Sequence, residues 1–133
     1  MIMLKDHFKY RPFKSKKVLL VDDEKDLGWI MKKVVRDAGH MLICATTVKE
    51  GMEKFKRLKN LNIAIVDLKL EDEDGLAFIK KAKEVANKKV DFIMISAFGT
   101  PDIERKARHL GVHHFLHKPL KVDRLLDIIS SNS

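Results

Sequence analysis

Cysteine is almost absent. Cys44 is the only one in 133 residues, which excludes an internal disulfide and a cysteine metal cage and suits a reducing, cytoplasmic setting. Long apolar runs are missing too: nothing approaches the roughly 20 residues of a membrane span. The opening Met1-Ile2-Met3-Leu4 is too brief for the core of a signal peptide. There is no internal repeat and no low-complexity segment, and the length suits one ordinary domain. What is present, 45% hydrophobic and 35% charged residues, is the composition of a soluble globular chain.

The formal charge of +8 is unevenly placed. Lys5, Lys9, Arg11, Lys14, Lys16 and Lys17 face only Asp6 in the first 17 residues, a balance of +5 that leaves +3 for the other 116. The excess sits on a basic arm, residues 1–16, punctuated by Phe8, Tyr10 and Phe13. Such an arm can meet nucleic acid, an acidic partner or a membrane surface, but basic stretches are more often merely solvated. The favoured reading is a solvated leader whose aromatic residues dock on the domain.

From residue 17 the hydrophobic pattern alternates between two periods. Val18–Val21, Met41–Cys44, Ile63–Val66, Phe92–Ile95 and Val112–His117 read as short strands. Between and after them, apolar residues recur at helical spacing. Leu27, Ile30, Met31, Val34, Val35 and Ala38 form one stripe, stopped by Gly39. Val48, Met52 and Phe55 mark the second helix, and Gly75 opens a third carrying Leu76, Ile79, Ala82 and Ala86. Thr100-Pro101-Asp102 predicts an N-cap, a first-turn proline and a dipole-compatible acid for the fourth helix, which Gly111 ends. Val122, Leu125, Leu126 and Ile129 face one side of the last. Five strand–helix pairs with short connections imply an α/β fold, a doubly wound five-stranded parallel sheet with five helices.

In such a sheet, ligands gather outside the carboxyl ends of the strands. Asp22 and Asp23 follow strand one, Asp67 ends strand three, Ser96 follows strand four and Lys118 follows strand five. Singly, each has a dull explanation. The acids 22–24 can cap a helix, Asp67 can begin a turn, Ser96 can bond local backbone, and Lys118 can be one surface lysine of many. Jointly they place three carboxylates, a hydroxyl and an ammonium on one rim. Crowded carboxylates repel, and a hard divalent cation such as magnesium relieves the repulsion through its preference for oxygen. A carboxylate left free can attack phosphorus, with the metal, a lysine and a hydroxyl around the developing charge.

This set resembles the receiver domains of two-component response regulators, and the likeness spans residues 17–130. It rests on Val21-Asp22-Asp23-Glu24, on Asp67 followed by Asp74-Gly75, on Ser96-Ala97 and on Lys118-Pro119. The resemblance implies a flavodoxin-like receiver fold in which Asp67 accepts a phosphoryl group from a histidine kinase or histidine phosphotransfer protein. It implies that Asp23, Asp67 and the backbone carbonyl of Lys69 hold Mg2+, with Asp22 on a metal-bound water. Ser96 is implied as the switch hydroxyl, Lys118 as the phosphoryl-binding lysine, Pro119 as the partner in a cis peptide bond, and Phe115 as the aromatic switch. A downstream protein target would then read a surface containing Arg105, Arg108, His109, His114 and Lys121. A regulator of this kind catalyses its own phosphotransfer and is not a turnover enzyme.

The stretch between Asp67 and Gly75 departs from the family. Glu71-Asp72-Glu73 replaces the usual proline, small residue and methionine, which predicts a more mobile loop. The extra acids either strengthen cation attraction or hinder an incoming phosphate. Lys69 holds a position tied in the family to phosphoryl lifetime, and a bulky cation there implies a long-lived group.

The residues admit three other readings. An aspartate-nucleophile magnesium phosphatase wants an acid two residues after its nucleophile, where this chain has Lys69. The chain is alternatively a receiver fragment of a longer DNA-binding regulator, with direct nucleic-acid contact through the arm less favoured. His109, His113, His114 and His117 suggest zinc, but 113 and 114 should point to opposite faces of a strand, and no cysteine or acid is expected to complete the shell.

Overall fold

The computed structural model describes residues 14–86 and 89–131. The predicted basic arm therefore lies largely outside the described residues. Its end, Lys16, is built into the fold: it is buried, and its N–H donates to His40 Nδ1 at 2.9 Å.

Ten elements alternate: β1 (Lys17–Val21), α1 (Lys25–Asp37), β2 (Met41–Ala45), α2 (Val48–Arg57), β3 (Ile63–Asp67), α3 (Gly75–Val85), β4 (Asp91–Ser96), α4 (Pro101–His109), β5 (Val112–His117) and α5 (Val122–Ser131). The strands form one sheet in the order β2-β1-β3-β4-β5, every pairing parallel. The α/β doubly wound expectation is met.

Strand side chains alternate between two faces, and here each face has its own core. Leu19, Val21, Ala64, Val66, Phe92 and Met94 pack with Val48 and Phe55 of α2, Phe78, Ile79 and Ala82 of α3, and Ala107 of α4. Val18, Leu20, Ile63, Ile65, Ile93 and Ile95 pack with Met31 and Val35 of α1 and with Leu125, Ile128 and Ile129 of α5. Burying one such side chain contributes about 1.5–3 kcal/mol, which is why these strands read as unbroken apolar runs. At the centre of the first core, the Phe55 ring meets Phe78 edge-on at 6.0 Å and stacks on Phe92 at 6.2 Å.

Helix ends follow their residue chemistry. Thr100 Oγ1 accepts from the Ile103 N–H at 3.3 Å with Pro101 in the first turn, and Asp74 Oδ1 caps α3 through the Ala77 N–H at 2.9 Å. Gly39 and Gly111 take positive φ just beyond α1 and α4, a conformation that a Cβ would strain. The α1 stripe is narrower than its periodicity predicts, because Ile30 is 49% exposed beside Trp29 at 75%. Strand β5 also departs from strict alternation. Phe92 pairs with Val112 but Ile93 with His114, so His113 is an extra residue at a bulge.

Candidate functional site

The chain runs from β1 to β2 on one side and then returns to β3 on the other, so the strand order reverses between β1 and β3. Backbone pairing carries the chain from the strand ends into the crevice there. The Asp22 N–H donates to Ala45 O at 2.9 Å, Leu68 N–H to Ile95 O at 2.9 Å, and Lys118 N–H to Ser96 O at 2.8 Å. These ladder bonds set Asp22, Asp67, Ser96 and Lys118 on one rim. The peptide bond from Lys118 to Pro119 is cis.

Lys118 is the hub. Its ammonium lies 2.9 Å from Asp22 Oδ2, 3.0 Å from Asp67 Oδ2 and 2.5 Å from Glu24 Oε1. Burial acts first to lower its proton affinity, but the bonds to Glu24, Asp22 and Asp67 outweigh it and hold the pKa above the usual lysine range. The Asp22 carboxyl moves up instead: burial is the main cause, and the charge of Asp67 adds to it against the bonds from the Glu24 N–H and Lys118. Asp22, Glu24 and Asp67 each offer an oxygen within 4.8 Å of the others.

The donor chemistry fits a hard divalent cation. All three groups are carboxylates, and Asp22 Oδ2 is fully enclosed, ion-paired with the Lys118 ammonium at 2.9 Å. An enclosed carboxylate oxygen among like charges, three acids to one ammonium, is what a magnesium ion suits. Asp23 is half-buried and lines the same cleft, together with Asp67, Lys69, Ser96 and Lys118. The cleft encloses about 730 Å³. Glu24, which the sequence offers as one of three acids able to cap α1, has another use. Its side chain makes no cap bond and reaches Lys118 instead.

Ser96 does bond local backbone: its Oγ accepts the Phe98 N–H at 3.0 Å. That use leaves the hydroxyl proton free to donate. Lys69 donates its N–H to Asp67 Oδ1 at 3.2 Å, and its ammonium sits 5.7 Å from the centre of the Phe98 ring, which is 74% exposed. Phe115 is half-buried against the first core, with its ring 5.5 Å from that of His117.

The acidic loop after Asp67 is tied to its neighbours. Asp72 accepts the Val48 and Lys49 N–H groups of α2 at 2.9 and 3.1 Å, and Glu73 pairs with Lys81 at 2.6 Å. Two of the three added acids are thus committed elsewhere, and Glu71 alone of them lines the cleft. The histidines find acids that the sequence did not foretell. His113 Nε2 meets Asp91 Oδ1 at 3.2 Å, and His117 Nε2 meets Glu104 Oε1 at 3.1 Å. Among the described residues no histidine joins a three-ligand cluster. Arg105, Arg108, His109 and Lys121 are exposed and His114 half-buried.

A family model described as the response regulator receiver domain matches residues 18–130. Chemotaxis protein CheY of Thermotoga maritima is 29% identical over 121 residues, covering 90% of this chain and 98% of that protein. An uncharacterized transcriptional regulatory protein of Bacillus subtilis, YesN, is 32% identical over 114 residues, covering 83% of this chain but only 30% of its own length. Among solved structures, a CheY-like response regulator receiver domain protein from Methanospirillum hungatei superposes with a TM-score of 0.81 at 25% identity, over 87% of this chain and 91% of the other.

Proposed function

The chain belongs to the response regulator receiver domain family, and we propose that Asp67 takes a phosphoryl group from a histidine kinase or histidine phosphotransfer protein in a magnesium-dependent reaction. The observation that carries this reading is the meeting of Asp22, Asp67 and Lys118 within 3.0 Å. Asp22, Asp23, Asp67 and the Lys69 carbonyl would hold the ion, with Glu24 close by. When bound, magnesium supplies positive charge to the phosphoryl oxygens and to the crowded acids.

The chain's own groups divide the remaining work. Asp67 Oδ attacks phosphorus, and the bond from phosphorus to the donor's nitrogen breaks as the acyl phosphate forms. Lys118 leaves its grip on the carboxylates in part and turns a donor toward the new dianion. Ser96 offers its hydroxyl proton to another oxygen, since bonds to charged acceptors are the stronger ones. As Ser96 moves inward it vacates space for Phe115, and the surface of α4, β5 and α5 changes shape for a downstream protein. Lys69 and Phe98 flank the cleft and would shield the acyl phosphate from water, giving it a long life. The setting is cytoplasmic, and no helix among the described residues is long and apolar enough to cross a membrane.

A self-limited reaction separates this proposal from a phosphatase. With an acyl phosphate and magnesium, the protein should take up one phosphoryl group per chain and stop. Given a generic phosphate ester, it should release no steady stream of phosphate. Sustained turnover would overturn the receiver reading in favour of an aspartate-nucleophile phosphatase.

A further inference from the structure

The first amides of a helix have no partner within it. At α2 the amides of its first three residues are accounted for. The Val48 N–H donates to Asp72 Oδ1 at 2.9 Å, the Lys49 N–H to Asp72 Oδ2 at 3.1 Å, and the Glu50 N–H to Thr47 Oγ1 at 3.0 Å. Just upstream, the Thr46 N–H donates to Glu50 Oε1 at 2.7 Å. Thr47 and Glu50 are local caps of the expected kind. Asp72 is not: it belongs to the loop between β3 and α3 and reaches across to a different helix with both oxygens.

The loop's other ties mostly hold it to itself. The Gly75 N–H closes its base on Leu68 O at 2.6 Å, and Lys69 pairs with Asp74 in a single antiparallel bridge. Asp72 gives it a lateral reference. That reference leads back to the acidic rim, because Ala45, two residues before the α2 cap Thr47, accepts the Asp22 N–H at 2.9 Å. A short path therefore links Asp22 to Lys69, through the end of β2, the start of α2 and the Asp72 carboxylate.

We infer that Asp72 is a positioning residue for the cation site, its two-pronged hold on α2 setting the Lys69 carbonyl in register with Asp22 and Asp67. The inference rests on the proposed reading of that rim as a magnesium site. A merely structural role predicts that losing Asp72 weakens α2 and nothing more. A positioning role predicts a loss of metal affinity that another α2 cap does not share.

Titration calorimetry with magnesium chloride on the purified chain, paired with thermal unfolding, separates the two. Asp72→Ala should weaken magnesium binding about tenfold, the lower end for outer-shell supports of a metal site, and lower Tm by a few degrees. Asp72→Asn keeps one accepting oxygen and should fall between, deciding the matter if the alanine variant does not fold. Thr47→Ala should lower Tm comparably and leave magnesium affinity within about twofold of the unaltered chain. Glu73→Gln removes the same charge one residue away, so it too should leave affinity unchanged. Unaltered affinity in the Asp72 variants overturns the inference, as does equal weakening by Thr47→Ala or Glu73→Gln. If the unaltered chain binds no magnesium, the reading of the rim fails first and takes this inference with it.

Discussion

Lys118 Nζ lies 3.0 Å from Asp67 Oδ2, and the same ammonium touches Asp22 at 2.9 Å and Glu24 at 2.5 Å. One cation thus serves three carboxylates drawn from two separate strand ends. The arrangement is a charge arrangement before it is a catalytic one. Three crowded acids, Asp22 and Asp67 buried and Glu24 exposed, remain over-supplied with negative charge beside a single lysine, and this excess is what a divalent ion would offset.

Replacing Lys118 should therefore cost stability, and a divalent ion should restore part of it. Removing one member of a buried ionic group leaves the others uncompensated, at a cost of roughly 3 kcal/mol. Lys118→Met keeps most of the side-chain volume. Its denaturant midpoint at neutral pH should fall, and millimolar magnesium should raise it more than it raises that of the unaltered chain. A variant as stable as the parent would show that the acids are not mutually strained.

Asp22 should behave oppositely. Its carboxyl is pushed above the ordinary value of 3.8, mainly by burial. The folded state thus disfavours its charged form, and stability falls as pH rises from the unfolded pKa through the folded one. Above that window the cost is fully present. Asp22→Asn should therefore raise Tm at neutral pH without metal by a few degrees, and the gain should vanish below about pH 3. Magnesium should not stabilise this variant. A lower neutral-pH Tm would contradict the sign of the shift.

The start of α2 carries the reverse pH dependence. Bonds from the Val48 N–H hold Asp72 below 3.8, and bonds from the Thr46 N–H hold Glu50 below 4.5. A depressed carboxyl contributes stability that is present above its unfolded pKa and is lost as pH falls through the folded one. Carboxyl-carbon NMR titrations should give both residues midpoints below those values, with amide protection at 46, 48 and 49 declining at the same pH. Ordinary midpoints would dissolve the clamp.

Gly99 leaves room for the Phe115 ring. A Cβ built there would stand 2.6 Å from Phe115 Cε1 and 3.3 Å from His117 Cε1. Because the nearer atom is the far end of a side chain, Gly99→Ala should cost only about 1 kcal/mol, the low end for overpacking. The ring of Phe115 should instead be displaced, visible as altered ring-current shifts at His117. An unmoved ring would remove Phe115 from the proposed switch.

Much of this was legible in the sequence, for particular reasons. Val18–Val21 and Ile63–Val66 announce doubly covered strands because each alternate residue must enter one of two cores. Asp22, Asp67, Ser96 and Lys118 could be placed on one rim because every parallel strand ends on the same side. Distances of contact were another matter. Glu24 looked like a capping acid, and only the reach of Lys118 from the far end of the chain gives it a partner. Asp72 looked like part of a loose acidic loop, since nothing local says that α2 lacks two partners for its amides. His113 defied alternation because a bulge depends on the neighbouring strand, which a single run of residues does not contain.

The most direct test of the central claim is intact-protein mass measurement after exposure to acetyl phosphate, with and without magnesium, on the unaltered chain and on Asp67→Asn. The account predicts one added phosphoryl mass on the unaltered chain with magnesium, little without it, and none on the variant. Equal labelling of Asp67→Asn, or labelling indifferent to magnesium, would contradict it.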